Sequence, residues 1–242
     1  MYDLATFSIT DMVKLGKELR NMGRDATNME TASSNIIQHL FNQLADKETG
    51  EKSCVLARFF KTHDFQKLDE NLQEFASNIL PEVSTLNDCK CFTLLATAGI
   101  EDDWNFRRKS NGHQAIPLPS PEVVEKIPMM RNMLKQMGLD VNTVLHPDPR
   151  LLSDLSQTTF NVFYVPAAVD SPFIPTQEVF IKPYGVKSVI GFGAVLPSGD
   201  IFVIILFCRT SIPQQTVDLF KPLALNVKMA VLPFVKTVFA SN

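Results

Sequence analysis

Residues 100–121, IEDDWNFRRKSNGHQAIPLPSP, gather the only tryptophan, two adjacent arginines and a histidine in a run with neither helical nor strand period. Arg107, Arg108 and His113 could together receive a carboxylate or a phosphate, because guanidinium forks match those anions, and Trp104 could stack beside them. The same arginines could instead pair with Glu101, Asp102 and Asp103 on the surface, and both readings stand. Asn161, close to Phe160 and Phe163 in an apolar run, is a second candidate, since an inward amide there needs a ligand or a backbone group as partner. The candidate ligand-binding residues are therefore Trp104, Arg107, Arg108, His113, Asn161 and Phe163. Arg58, within SCVLARFF, also stands among apolar neighbours; the reading favours an edge position or a snorkelling guanidinium over a pocket residue.

Other chemistry finds less support. His113 or His146 could hold a haem by one axial imidazole, although a loop histidine more commonly serves as a surface or hydrogen-bonding group. Cys89-Lys-Cys91 places two thiols on one face of a strand, but without a second close pair of ligands the motif does not call for metal. There is no G-x-S-x-G elbow, no Walker-type GK[ST] and no H-E-x-x-H, so no residue is assigned a catalytic role and the expectation is a non-enzyme.

These residues need a frame. A chain of 242 residues with 45% hydrophobic content can bury a sizeable core, and a net charge of −3 gives no general pull toward nucleic acid. No apolar run approaches the roughly 20 residues of a membrane span, and residues 1–20 lack the apolar stretch of a signal peptide, so the expected location is cytoplasmic. Four cysteines, Cys54, Cys89, Cys91 and Cys208, then read as reduced core side chains in strands.

Residues 185–234 carry the strongest local signals. Two apolar strands flank Pro197-Ser198-Gly199-Asp200, which offers a tight turn with Gly199 free to take positive φ. The unbroken run 201–207 predicts a strand covered on both faces. Ser211 and Gln214 have the form of a capping box, with Pro213 in the first turn of one long closing helix that Pro222 and Pro233 could bend. Upstream, Met12, Leu15, Leu19 and Met22 form a narrow helical stripe, suited either to the chain's own body or to a dimer seam. Further helices are expected over 28–44, from Leu68 to Ile79, over 122–138 with Pro128 as a kink, from Leu151 to Leu155, and over 176–181. Strands are expected over 53–60, 91–98 and 158–165.

The chain resembles a GAF domain, within the wider group of GAF and PAS sensors. The likeness rests on YGVKSV at 184–189, the Ser198-Gly199 turn, the apolar strand 201–207 and the helix beginning near Pro213, with LLATAG at 94–99 matching the first half. WNFRR at 104–108, Gly112-His113 with IPLP at 116–119, TFNVF at 159–163 and SVIGF at 188–192 further resemble the N-terminal sensory region ahead of PAS, histidine-kinase or cyclase modules in bacterial two-component signalling proteins. The resemblance implies an α+β fold: a central antiparallel sheet with flanking helices, helices on one face and a ligand between the other face and the irregular connections. It implies one domain over 1–242, with a helical extension at 1–27, a first half at 28–99, an insert at 100–157 and closing strands and helix at 158–242. Two known ligand signatures of the family are not found. F-x-x-x-D-E occurs at 65–70 but before the wrong helix, and no cysteine is followed by the histidine typical of a bilin site.

The implied function is a cytoplasmic sensory domain that binds an unidentified small molecule, forms a homodimer and signals through its terminal helices to a downstream module. A ligand-free dimerisation or interaction scaffold is the alternative, and a haem-based sensor the third option.

Overall fold

The computed structural model describes residues 1–81, 86–148, 150, 154, 158 and 160–240. Six strands form one sheet: β1 (Cys54–Asp64), β2 (Lys90–Gly99), β3 (Ala115–Leu118), β4 (Phe163–Val165), β5 (Ser188–Val195) and β6 (Ile201–Cys208). Their order is β3-β2-β1-β6-β5-β4, and every pairing is antiparallel. The fold is therefore α+β, with a central antiparallel sheet and flanking helices, as expected.

The β5–β6 hairpin forms as the turn chemistry predicts. Val195 pairs with Ile201, and Gly199 takes φ +83°, a conformation that side chains with a Cβ rarely adopt. β6 is buried on both faces, with Phe202, Ile204 and Leu206 in one core and Ile201, Val203 and Ile205 in the other. Period-two alternation explains the split, because each strand position serves only one side of the sheet.

The first core lies under α1 (Ile9–Asn21) and α2 (Met29–Gln43). Ser8 and Asp11 complete a capping box on α1, and Asn28 caps α2 by accepting from Thr31 N at 2.8 Å. α3 (Glu70–Ile79) packs beside β3, forming a smaller satellite cluster. The second core is closed by α4 (Pro121–Glu125), α5 (Pro128–Met137) and α6 (Val141–Leu145). Helices thus cover both faces, where the resemblance implied one. Gln136 on α5 also caps the outer edge of β4: it accepts from Tyr164 N at 2.8 Å and donates to Tyr164 O at 3.2 Å.

Two long helices of the sequence reading are broken. The helix expected over 122–138 stops at Glu125 and restarts at Pro128, whose missing N–H costs nothing at a first helical position. The closing helix is likewise two pieces, α7 (Gln214–Asp218) and α8 (Leu223–Val231), with Pro222 at the N-cap of the second and Pro233 in a 3₁₀ turn. Pro213 is itself the N-cap of α7 and no side-chain cap bond forms, so the Ser211 capping box does not exist. α8 still returns to β5, as a helix lying on its own hairpin should.

The N-terminal stripe is used internally. Leu15 and Leu19 are fully buried, Met12 and Met22 pack on the same core, and α1 lies along α8. The approach is close enough that a Cβ on Gly23 would stand 2.2 Å from the Ala230 carbonyl oxygen. Of the strand expected over 158–165, only Phe163–Val165 pairs. The short edge strand β3, which tolerates Pro117, and α6 were not anticipated. Leu151, Leu152 and Leu155 lie outside the described residues.

Candidate functional site

β3 pairs with β2 only from Lys90 to Thr93, so the upper outer edge of β2 has no strand beside it. Residues 100–113 cover that edge through two 3₁₀ turns, Asp102–Asn105 and Arg107–Lys109. Asn105 stands in for the missing strand: its Oδ1 accepts from Gly99 N and its Nδ2 donates to Gly99 O, both at 3.1 Å. Thr97 Oγ1 donates to the Trp104 carbonyl at 2.8 Å. The half-buried Trp104 lies against Gly99, where any Cβ would meet it at 2.8 Å. Its ring joins Tyr184 at 4.7 Å and Phe180 at 5.4 Å, so the tryptophan anchors the loop.

From this anchor the loop reaches to the other face of the sheet. Arg107 Nε and Nη2 donate to the two carboxylate oxygens of Glu30 on α2, the latter at 3.2 Å. The same guanidinium lies 5.6 Å from the Phe239 ring. Glu30 Oε2 also accepts from Ala240 N at 3.1 Å, and the first amides of α2, Met29 and Glu30, donate to Thr237 O and Val238 O at 2.9 and 2.8 Å. Glu30 therefore joins three segments: the 100–113 loop, the start of α2 and residues 237–240. Arg107 is engaged inside the protein, neither free for a ligand nor paired with Glu101, Asp102 or Asp103.

The remaining candidates scatter. Arg108 is exposed, and its carbonyl accepts from Gln114 Nε2 at 3.0 Å. Asn161 does not point inward; it is exposed ahead of β4 and its Oδ1 accepts from Lys221 Nζ at 3.2 Å. Phe163 is fully buried. It ends a row that crosses the sheet on one face, Thr97, Arg58, Ile205, Gly191 and Phe163, each paired with the next. His146 is exposed at the end of α6.

Arg58 occupies the centre of that row. It is not on an edge, since β1 is third of six strands. Its Nε is buried without a hydrogen-bond partner, and no carboxylate pairs with it among the described residues. Burial pushes the guanidinium down to about 10, with no opposing acid. Water still reaches His113, which tempers its response, yet the surrounding protein and then the Arg58 charge push its imidazole down to about 4. Of the sequence-derived set, the structure thus brings His113 within reach of the Arg58 charge, bonds the Trp104 carbonyl to Thr97, the cross-strand neighbour of Arg58, and takes Arg107 and Asn161 elsewhere. The signal for Arg58 was present in the sequence as one cation in an apolar strand, but the strand order was needed to make it central.

Space on this face is limited. Between the sheet and α4–α6 is a cavity of ≈ 10 Å³, lined by Phe92, Leu118, Met133, Leu134 and Val144 among others, room for about one water. An open groove of ≈ 580 Å³ runs over Ile100, Glu101, Asp102, Asp103, Trp104 and Tyr184. No group of three His, Cys, Asp or Glu side chains suited to a metal occurs among the described residues. The four cysteines are free and buried, and Cys54 and Cys208 face each other across β1 and β6 with sulfurs 3.3 Å apart. No described helix is long and apolar enough to cross a membrane.

A second ionic cluster sits at the hairpin turn. Asp200 binds Lys61 and Lys90, each at 2.8 Å, and Lys90 binds Asp64 at 2.7 Å. Burial opposes ionisation of Asp200, but the two ammonium groups outweigh it and hold the carboxyl at about 2. Nearby, His63 is buried with Nε2 unpartnered, its ring 5.1 Å from Phe239. Burial, and then the Lys61 charge, push its imidazole well below the ordinary range. All its acids being paired with lysines, this cluster ties the hairpin to β1 and β2.

No family model matches the chain, and no curated protein matches it. Among solved structures, the GAF domain from a phosphoenolpyruvate-protein phosphotransferase of Coxiella burnetii is similar, with 11% identity, a TM-score of 0.43, and coverage of 93% of this chain and 94% of that chain.

Proposed function

We propose that this chain is a regulatory sensor domain of GAF-like type, which binds a small ligand on the side of the 100–113 loop and passes the change through residues 235–240 to a downstream signalling module. The observation that supports it is the position of Glu30, whose carboxylate is shared between Arg107 of the loop and Ala240 N. Movement of the loop draws on the same carboxylate, through Oε2, that holds Ala240 beside the start of α2. Coupling between distant segments needs such a contiguous element with two arrangements, clamped and released.

Hydrogen exchange on the ligand-free protein tests the transmission step. Arg107→Ala should speed exchange at the amides of Met29, Glu30 and Ala240 by roughly 5–30-fold, the response to losing one or two kcal/mol of local stability. Amides of β5 and β6 should not change. If faster exchange stays within residues 100–113, the loop is not coupled to the 237–240 segment and the reading fails.

The homodimer belongs to the same proposal. With the predicted stripe consumed inside, the outer surface of the α1–α8 pair offers Ile9, Val13, Leu225 and Met229, exposed at 67, 60, 55 and 46%. Each helix contributes two of them at i, i+4, a face suited to a second copy of this chain. Light scattering should give a dimer that Val13→Glu with Met229→Glu converts to monomer. A wild-type monomer at high concentration would remove the dimer from the proposal.

A second reading, a ligand-free interaction scaffold, is favoured by the well-filled core beneath α4–α6, where the cavity among the described residues holds ≈ 10 Å³. That cavity has no room for a haem, so a haem-based sensor would need its group held elsewhere. The ligand side of the primary reading is accordingly placed at the loop and not under these helices.

A further inference from the structure

We propose that the Arg58 guanidinium anchors a site for a small oxyanion, a carboxylate or a phosphate group, where residues 104–113 cross the upper ends of β1 and β2. The inference rests on the reading that the loop marks the ligand side of the domain, and it adds the chemical class of the ligand and the residue that receives it.

The strongest argument is what Arg58 lacks. A guanidinium on a central strand, between Thr97 and Ile205, has left bulk water for an apolar row, yet its Nε donates to nothing. Buried polar groups are nearly always paired, and an unpaired one is a reservoir or an incomplete site. The groups that might have satisfied it are turned elsewhere. Thr97 gives its hydroxyl to the Trp104 carbonyl, Asp103 meets Lys109 and Glu30 meets Arg107. The fold therefore supplies a positive charge and leaves out the anion.

Geometry then narrows the class. Arg58 is only half-buried, so an incoming oxyanion can approach the guanidinium and reach the Nε that has no partner. A guanidinium donates through Nε and one Nη along one edge, which matches two oxygens of a carboxylate or phosphate and no single neutral acceptor equally well. A shielded ionic contact of this kind is stronger than its exposed counterpart, because little water competes. His113, close enough to feel the Arg58 charge and itself pushed down toward neutrality, brings an imidazole to the same mouth. Burial pushes Arg58 down to about 10, and among the described residues no acid is paired with it to hold it up.

The test is a pair of titrations of the whole chain, one with sodium acetate and one with sodium phosphate, each matched against chloride at constant ionic strength. The readout is the Arg58 Nε–H resonance and the His113 ring signals by NMR. A saturable shift of both resonances is expected in at least one arm, and the arm that responds at lower concentration separates carboxylate from phosphate. Arg58→Lys keeps the charge but loses the fork, so its affinity should fall by roughly tenfold or more. Arg58→Met should abolish the response of His113, and Arg150→Met, at an exposed arginine paired with Asp148, should leave it unchanged. Linear, unsaturated shifts in both arms would overturn the proposal, as would a His113 response of equal affinity in Arg58→Met. The wild-type titration decides the matter even if a variant does not fold. Because the exchange experiment on Arg107→Ala needs no ligand, a failed titration leaves the transmission reading intact, and the reverse holds.

Discussion

An arginine kept without a counter-ion in a central strand should weaken the fold that carries it. Replacing it tests the whole account of β1. Arg58→Met retains an unbranched stem of similar reach and removes both the charge and the unpartnered Nε. A buried donor left unsatisfied costs about 1–3 kcal/mol, and the half-exposed fork recovers some of that by hydration. The expected gain from the substitution is therefore about 1–2 kcal/mol. For a chain of this size each kcal/mol moves Tm by about 2–4 °C, so the variant should melt about 2–8 °C higher. Urea unfolding in chloride buffer at neutral pH should show the same gain as a higher midpoint at unchanged slope. Adding phosphate or acetate should then stabilise the wild type alone, since a ligand that binds only the folded state raises stability with its concentration. A loss of more than about 1 kcal/mol in the variant would refute the reasoning, because it would mean the guanidinium makes a stabilising contact that its surroundings do not suggest.

Three further outcomes follow from the same structure. His63 is held neutral by burial, so the unfolded chain takes up its proton first; stability should be intact above the unfolded value near 6.5 and fall as pH drops below it. Since His113 titrates in the same window, the measurement is the difference between wild type and His63→Phe, and equal acid slopes would show that His63 is not the cause. Asp200→Asn leaves the Lys61 ammonium, only 2% exposed, without its charge partner and should cost about 3–5 kcal/mol by chemical denaturation, a loss that Lys61→Met in the same background should partly restore. Gly23→Ala forces a Cβ against the Ala230 carbonyl at 2.2 Å, so α1 and α8 must separate, at a cost of about 1–3 kcal/mol, whereas at Gly16 only the Asn226 side chain must move and the cost should be smaller.

The elements most legible in the sequence were those specified by local rules. The β5–β6 hairpin followed from Gly199 and the flanking apolar strands, α2 from Asn28 and its periodic face, and α1 from the Ser8–Asp11 box. Elements whose boundaries depend on proline are harder to read. Spacing alone predicts continuous helices bent at Pro128 and Pro222, but each begins or caps a new one, because a helix can restart at proline far more easily than pass through it. β4 falls at the end of the strand expected over 158–165, but β3 is a four-residue edge strand that contains Pro117 and pairs with β2 across the irregular 100–113 connection. Nothing within four residues specifies such a strand.

The candidate site divides in the same way. Residue types alone determined that 100–113 holds the chain's concentration of aromatic and cationic chemistry, and that Arg58 is a charge in an apolar strand. Only the tertiary structure decided which cation is already matched. Arg107 finds Glu30, 77 positions away, and Asn161 finds Lys221, 60 positions away, while Arg58 is set by strand order into the middle of the sheet with no acid paired to it among the described residues. A sequence records which groups can form ion pairs, but pairing is a matter of distance and dielectric, and both are created only when the sheet closes.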